Sequence, residues 1–271
     1  MKSFISPQNA YSLIQQHGHK ALFTTMQNAP ASKPDIITSL VNPLYIPNSI
    51  FFDFQNDITD KTAQTRNMMP STELFEQKMQ ALGINNSDSI VVYDDFGNFC
   101  ASRVWFMLRA MGCRQVFVID GGLPAWLRAE LPTTDTLLSS KHTGDFTASP
   151  DSQFQFVDRN VVRQHCIEDD SCSVLDARSA LRFKQGHIPK SKNLPYSELQ
   201  TEQGECLAPQ QINAKLASRL KGENALFSCG SGVTACILAQ AAYEQGYQNL
   251  KVYDGSWSDW QANDMPVELH S

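Results

Sequence analysis

Along this chain, short apolar runs rich in β-branched and aromatic residues alternate with longer stretches spaced for helices. In the second half, Ser173-Val-Leu-Asp176, Ala225-Leu-Phe-Ser228 and Leu250-Lys-Val-Tyr253 predict short strands, the second of them buried. Val157 to Cys166, Gln210 to Leu220 and Thr234 to Gln245 predict helices. The last is Ala-rich, has no internal Gly or Pro, and meets Gly246, which suits a helix stop. Strands alternating with helices in this way predict an α/β fold in which a central, mostly parallel sheet is flanked by helices.

The pattern is written twice. Tyr45-Ile-Pro-Asn-Ser-Ile-Phe-Phe-Asp-Phe54 resembles His187-Ile-Pro-Lys-Ser-Lys-Asn-Leu-Pro-Tyr196. Ser89-Ile-Val-Val-Tyr-Asp94 resembles Asn224-Ala-Leu-Phe-Ser-Cys229, and Val118-Ile-Asp-Gly-Gly-Leu-Pro-Ala-Trp126 resembles Val252-Tyr-Asp-Gly-Ser-Trp-Ser-Asp-Trp260. Three matches in one order indicate duplicated domains. Between the copies, Thr133 to Ser152 is rich in Ser, Thr, Asp and Gly and has no sustained period. The expected organisation is therefore a domain over 1–133, a linker over 134–152 and a second domain over 153–271.

Composition narrows the chemistry only by exclusion. The chain has 271 residues, 42% hydrophobic and 18% charged, with 22 Lys plus Arg against 28 Asp plus Glu for a net charge of −6. This mild acidity, without a basic run, argues against a nucleic-acid or anionic-membrane partner. Seven cysteines form no Cys-x-x-Cys, so neither a complete disulfide framework nor a structural zinc site is legible, and a reducing compartment fits. The stretch from Met1 to Gln16 lacks the apolar run of a signal peptide, and nowhere do about 18 apolar residues run together. The expectation is a soluble, cytoplasmic protein without metal or organic cofactor.

The informative segment is Cys229-Gly-Ser-Gly-Val-Thr234, between the end of one predicted strand and the first turn of the next helix. Open α/β sheets bind ligands at such junctions. A thiol there meets unpaired backbone N–H groups and the positive end of a helix dipole, in a loop whose Gly230 and Gly232 can turn amides inward as an anion nest. These surroundings favour thiolate, and the cysteine pKa at helix N-termini can fall to about 3.5–7.5, which makes Cys229 the candidate nucleophile. Cys100, Cys113, Cys166, Cys172, Cys206 and Cys236 are expected to be small packing residues.

On this loop the chain resembles the tandem-domain sulfurtransferases of the rhodanese superfamily, and the loop is similar to that of the mercaptopyruvate sulfurtransferases. Asp176-Ala-Arg178, Arg182-Phe183, Gly186-His-Ile-Pro189 and the Asp-Gly-x-x-x-x-Trp endings of both copies extend the resemblance over nearly the whole chain. It implies two tandem rhodanese-like domains and a persulfide relay. The thiolate of Cys229 takes a sulfane sulfur from a small anionic donor, 3-mercaptopyruvate or thiosulfate, and passes it to cyanide or to a thiol such as thioredoxin or a low-molecular-weight thiol. Inward amides of Gly230, Ser231, Gly232, Val233 and Thr234 would stabilise the persulfide anion. Hydroxyls of Ser231 and Thr234 could add donors, with helix capping as the competing role for Thr234. Arg182 matches the family's substrate arginine, whose two donors suit a carboxylate or sulfonate. Arg178 is expected to pair with Asp176 or a neighbouring carbonyl. His187, Asp254, Trp257 and Trp260 are expected to be structural.

Several positions depart from the family pattern. Asp94 stands where the second copy has Cys229, and an aspartate cannot carry sulfur, so residues 1–133 are expected to be non-catalytic. Where the resemblance implies an Asp and a His working with the loop serine, this chain has Gln55 and Asn67, neither of which can act as a base. The family's second substrate arginine is missing, leaving Lys184 or Arg66 as replacements. A loop without cations favours mercaptopyruvate over thiosulfate. The related phosphatases require Cys, five residues, then Arg; here Ala235 holds that position. A persulfide carrier or thiol sensor that delivers sulfur to a protein partner is the alternative to turnover on a small donor.

Overall fold

The computed structural model describes residues 2–27, 29, 43–169, 173–220 and 225–269, without the side chain of Cys166. Cys172 lies outside the described residues. In the first half, β1 (Phe4–Ile5), α1 (Pro7–His17), β2 (Lys20–Thr24), β3 (Ser49–Phe51), α2 (Thr72–Ala81), β4 (Ile90–Asp94), α3 (Ala101–Ala110), β5 (Val116–Ile119) and α4 (Gly122–Arg128) build a sheet in the order β1-β5-β4-β2-β3. In the second half, β6 (Phe154–Val157), α5 (Arg159–Val162), β7 (Ser173–Asp176), α6 (Ala180–Lys184), β8 (Lys192–Asn193), α7 (Pro209–Ala217), β9 (Ala225–Ser228), α8 (Ala235–Glu244), β10 (Leu250–Tyr253) and α9 (Ser256–Ala262) build β6-β10-β9-β7-β8. The two orders are the same topology, and every strand pair within them is parallel.

The predicted strands over 173–176, 225–228 and 250–253 and the helix beginning after the Cys229 loop form as the sequence pattern requires. The segment from Val157 to Cys166 is different. Phe154 to Val157 pairs with β10, and the helix starts only after Asp158, whose carboxylate accepts the Asn160 and Val161 N–H groups before the chain relaxes into a π-turn over Arg163–Glu168. An N-capping Asp thus sets the boundary that apolar spacing misplaces.

Each half has its own core. In the first, Trp126 packs with Ile14, Phe23, Tyr93 and Leu123; in the second, Trp260 packs with Val162, Leu226 and Tyr253. The indole N–H of Trp126 donates to Pro132 O at 2.9 Å, and that of Trp260 to Pro266 O at 2.7 Å. Burying a large ring while satisfying its one donor in both copies explains why the Asp-Gly-x-x-x-x-Trp ending recurs.

By contacts the chain divides into two units whose segments interleave. The first comprises residues 1–59, 70–150 and 202–206; the second comprises 60–69, 151–201 and 207–271. The segment read as a linker runs along the first unit: Thr134 exchanges hydrogen bonds with Tyr45, Leu138 N–H donates to Ser49 O, Gly144 N–H to Gln80 O, and Phe146 is buried. A run without periodicity is held here by backbone bonds to an existing edge, a contact invisible to pattern analysis.

Candidate active site

Cys229 follows β9, and the turn between β10 and α9 clasps it. Its N–H donates to Ser256 Oγ at 3.1 Å, its carbonyl accepts the Trp257 N–H at 3.0 Å, and the Gly230 carbonyl accepts both the N–H and the hydroxyl of Ser258, at 3.0 and 2.7 Å. The Cys229 side chain is buried, and Ser256 Oγ lies 3.9 Å from its sulfur. Ser256 adopts a left-handed φ of +50°, which costs a non-glycine residue roughly 1–2 kcal/mol. The equivalent position in the first unit is Gly122, with φ +55°. A strained serine stands directly against the candidate nucleophile where the other copy has an unstrained glycine, and strain of this kind clusters at functional sites. Sequence analysis did not single out Ser256; the signal was present in the register of the two copies, where Gly122 aligns with it.

The loop itself behaves as its glycines require. Gly232 takes φ +75°, the left-handed turn that reverses the direction of successive amides. Gly230 serves close approach: a Cβ there would lie 3.1 Å from an Arg182 guanidinium nitrogen. The chain thus sets Arg182, an exposed residue of α6, beside the residue that follows Cys229. Thr234 precedes α8 without a capping hydrogen bond from its side chain. The first-turn amides of Cys236 and Ile237 instead donate to the carbonyls of Val233 and Thr234. Val233 is buried, and Cys236 fills the core with its sulfur on the Gly232 carbonyl, a packing role.

Arg178 forms a buried fork on Asp176, with three side-chain bonds of 2.7 to 3.1 Å, and its guanidinium lies 4.5 Å from the centre of the Trp257 ring. This is the expected structural pairing, and it braces the turn that holds Cys229. His187 is buried and stacked on Phe183, with Nδ1 3.0 Å from the Phe183 carbonyl. Lys184 and Arg66 are both exposed.

Gln55 and Asn67 belong to different units. In the first, Gln55 Oε1 accepts the Gln27 N–H at 2.7 Å. Asn67 is buried in the second, where its Nδ2 donates to Ser231 Oγ at 3.2 Å and lies 3.5 Å from Ser231 O. The segment carrying it is anchored by Met69 N–H on Asp254 Oδ2, at 2.7 Å. Asp254 begins the turn that clasps the Cys229 loop.

In the first unit, the position equivalent to Cys229 holds its own anion. Asp94 is fully buried; its Oδ2 accepts the N–H groups of Phe99, Cys100 and Ala101 at 2.7, 2.7 and 2.8 Å, and its Oδ1 that of Phe96 at 3.0 Å. The duplicated loop therefore has the geometry of an anion cradle, filled here by a carboxylate at the start of α3. Cys100 beside it is held as a thiol, because burial and the neighbouring Asp94 and Asp95 push its pKa well up.

Comparison with known proteins agrees with this architecture. The rhodanese-like domain family matches twice, over residues 41–129 and 160–263. Thiosulfate/3-mercaptopyruvate sulfurtransferase 2 of Arabidopsis thaliana is 36% identical over 259 residues, covering 82% of this chain and 74% of its own length. The 3-mercaptopyruvate sulfurtransferase of Escherichia coli K12 is 33% identical over 240 residues, covering 83% of each chain. The solved structure of SseA from E. coli, a 3-mercaptopyruvate sulfotransferase with the rhodanese fold, superimposes with a TM-score of 0.81 at 30% identity, covering 95% of this chain and all of that one. Two matched domains, a shared topology and relatives of one activity class lead to one conclusion: the chain belongs to the rhodanese-like domain family and is a tandem-domain sulfurtransferase.

Proposed function

We propose that the second unit carries the reaction and that Cys229 is its nucleophile, with 3-mercaptopyruvate as the preferred donor and thiosulfate as the lesser one. The observation that carries this reading is the setting of the buried Cys229 sulfur at the start of the 229–234 loop, with the Ser256 hydroxyl 3.9 Å away and the Arg182 guanidinium beside Gly230. The loop amides of Gly230, Ser231, Gly232, Val233 and Thr234 serve the sulfur anion, while the Ser256 hydroxyl, which donates to Tyr253 O at 2.8 Å and accepts the Cys229 N–H at 3.1 Å, fixes the cysteine backbone beneath it. Arg182 grips the donor's anionic group with its planar pair of N–H donors.

With mercaptopyruvate, the Cys229 thiolate attacks the donor sulfur. The new S–S bond forms as the donor's C–S bond breaks, and that electron pair passes into the pyruvate enolate. The proton carried by the donor thiol ends on the enolate carbon, so pyruvate leaves and Cys229 remains as a persulfide anion with no net change in charge. Ser231 donates to the developing enolate oxygen, a group that needs stabilising only as the bond breaks. An acceptor thiolate then attacks the outer sulfur and restores the Cys229 thiolate. Thioredoxin or a low-molecular-weight thiol fits that second step, because each can present a sulfur nucleophile without further machinery.

The first unit, centred on residues 1–133, is non-catalytic in this reading because Asp94 occupies its loop. The second is centred on residues 153–271. The proposed location is cytoplasmic, where thiols stay reduced; among the described residues no helix is long and apolar enough to cross a membrane.

The test is an intact-mass measurement of the reduced protein after 3-mercaptopyruvate, with pyruvate release followed in parallel. One added sulfur on wild type and none on Cys229→Ser is the expected result. Full turnover by Cys229→Ser would overturn the mechanism. Arg182→Ala should lower kcat/KM by about 10–100-fold, the loss of about 1.5–3 kcal/mol of charge-assisted binding.

A further inference from the structure

The contact between Asn67 and Ser231 joins residues 164 positions apart, and the proposed mechanism so far assigns Asn67 no part in turnover. The orientation of the amide follows from its surroundings. The same Nδ2 that lies 3.2 Å from Ser231 Oγ also faces Ser231 O at 3.5 Å. A carbonyl oxygen only accepts, so a flipped amide would set two acceptors against each other. The nitrogen therefore faces Ser231 and donates to its hydroxyl oxygen. That hydroxyl has a single proton, and a bond accepted from Asn67 forces the proton to point away from Asn67. The holding group is itself held: Asn67 is buried at φ +66°, two residues from the Met69 N–H bond to Asp254.

We infer that Asn67 is a positioning residue that keeps Ser231 a hydrogen-bond donor at every pH, and so makes the site selective for sulfur donors whose leaving group develops an oxyanion next to carbon. The inference rests on the proposed role of Ser231 at the Cys229 loop. An amide has no proton to lose or gain near neutrality, so it cannot draw the Ser231 proton away as a basic side chain would. Mercaptopyruvate needs that donated proton as its enolate forms. Thiosulfate leaves as sulfite, with no carbonyl to polarise, and depends on it less.

Two substitutions test this. Asn67→Gly accepts the left-handed backbone and removes the side chain with its amide donor; mercaptopyruvate kcat should fall about tenfold with KM within about twofold, while the loss with thiosulfate should be at least fivefold smaller. Asn67→Asp puts an acceptor where a donor stood, so the Ser231 proton should turn towards the carboxylate. Its mercaptopyruvate kcat relative to wild type should be lowest near pH 8 and climb steadily as the solution is acidified and the carboxyl protonates. A merely structural role would give equal losses on both donors and a variant-to-wild-type ratio flat with pH, and either result overturns the inference. Single-turnover formation of the Cys229 persulfide in Asn67→Gly separates the two readings. Its presence leaves the nucleophile assignment standing whatever the donor preference shows, whereas turnover without Cys229 would end both.

Discussion

Asp94→Ala removes the carboxylate that four backbone N–H groups of the first unit share. Phe99, Cys100 and Ala101 donate to one oxygen within 2.8 Å and Phe96 to the other at 3.0 Å, all around a fully buried side chain. A buried donor left without an acceptor costs about 1–3 kcal/mol, so four of them set a ceiling of roughly 4–12 kcal/mol. Water entering the vacated space and relief from burying a charge both reduce this, and the net loss should be about 3–5 kcal/mol, the range for removing one partner of a buried charged arrangement. Asp94→Asn keeps one acceptor oxygen but turns an NH2 towards at least one N–H, so it should lose about 1.5–3 kcal/mol. Urea unfolding measures the order, wild type above Asn above Ala, and hydrogen exchange should show the amides of residues 96–101 losing protection first. Formate, which can occupy the vacated cradle, should return about 1.4 kcal/mol to the alanine variant at ten times its Kd and nothing to wild type. An alanine variant within about 0.5 kcal/mol of wild type, or one indifferent to formate, would refute the claim that this loop is an anion cradle.

Other consequences are as direct. Ser256→Gly relieves the φ of +50°, a gain of about 1–2 kcal/mol, but leaves the buried Cys229 N–H without its acceptor, a loss of about 1–3 kcal/mol, so stability should fall by no more than about 2 kcal/mol while sulfur transfer falls about tenfold; sulfur transfer near the wild-type rate would mean that the serine does not position the nucleophile. Burial raises the Asp120 carboxyl above the usual range, only partly offset by the N–H of Cys206 and the amide of Asn98, which both donate to Oδ1. Its stabilising contribution is therefore present below the ordinary value of 3.8 and is lost as pH climbs through the raised folded value. Asp120→Asn, which keeps that acceptor oxygen, should gain on wild type in urea melts as the pH is raised above 3.8, and a pH-independent offset would contradict this. Iodoacetamide near pH 8 should spare Cys100 and Cys113, whose thiols burial pushes up, that of Cys113 to about 12; rapid labelling of either would show the cores more open than the structure has them.

What the chain announces on its own is what repeats or what local chemistry requires. The duplicated Val-Ile-Asp-Gly-Gly and Val-Tyr-Asp-Gly-Ser segments disclose two sheets of one topology, because each copy must close the same core over a tryptophan. Cys229 stands out because two glycines beside a strand end are wasted on a buried filler residue, and the structural role expected of Arg178, on Asp176 or a neighbouring carbonyl, is met on both Asp176 and the Gly186 carbonyl. The misplaced start of the helix near Val157 belongs to the same level: spacing alone does not locate a boundary that an Asp cap sets.

The remainder was decided in three dimensions. Residues 60–69 pack with the second unit and 202–206 with the first, so Asn67 reaches Ser231 across 164 positions that no local pattern connects. Ser256 gains its meaning from a backbone angle and from the 3.9 Å that separates it from a sulfur 27 residues earlier. Sequence determines which side chains are available and how each short stretch prefers to coil or extend, since those preferences act over a few bonds. Which distant groups share a hydrogen bond depends on how whole sheets and their exchanged segments pack, and only the folded chain settles that.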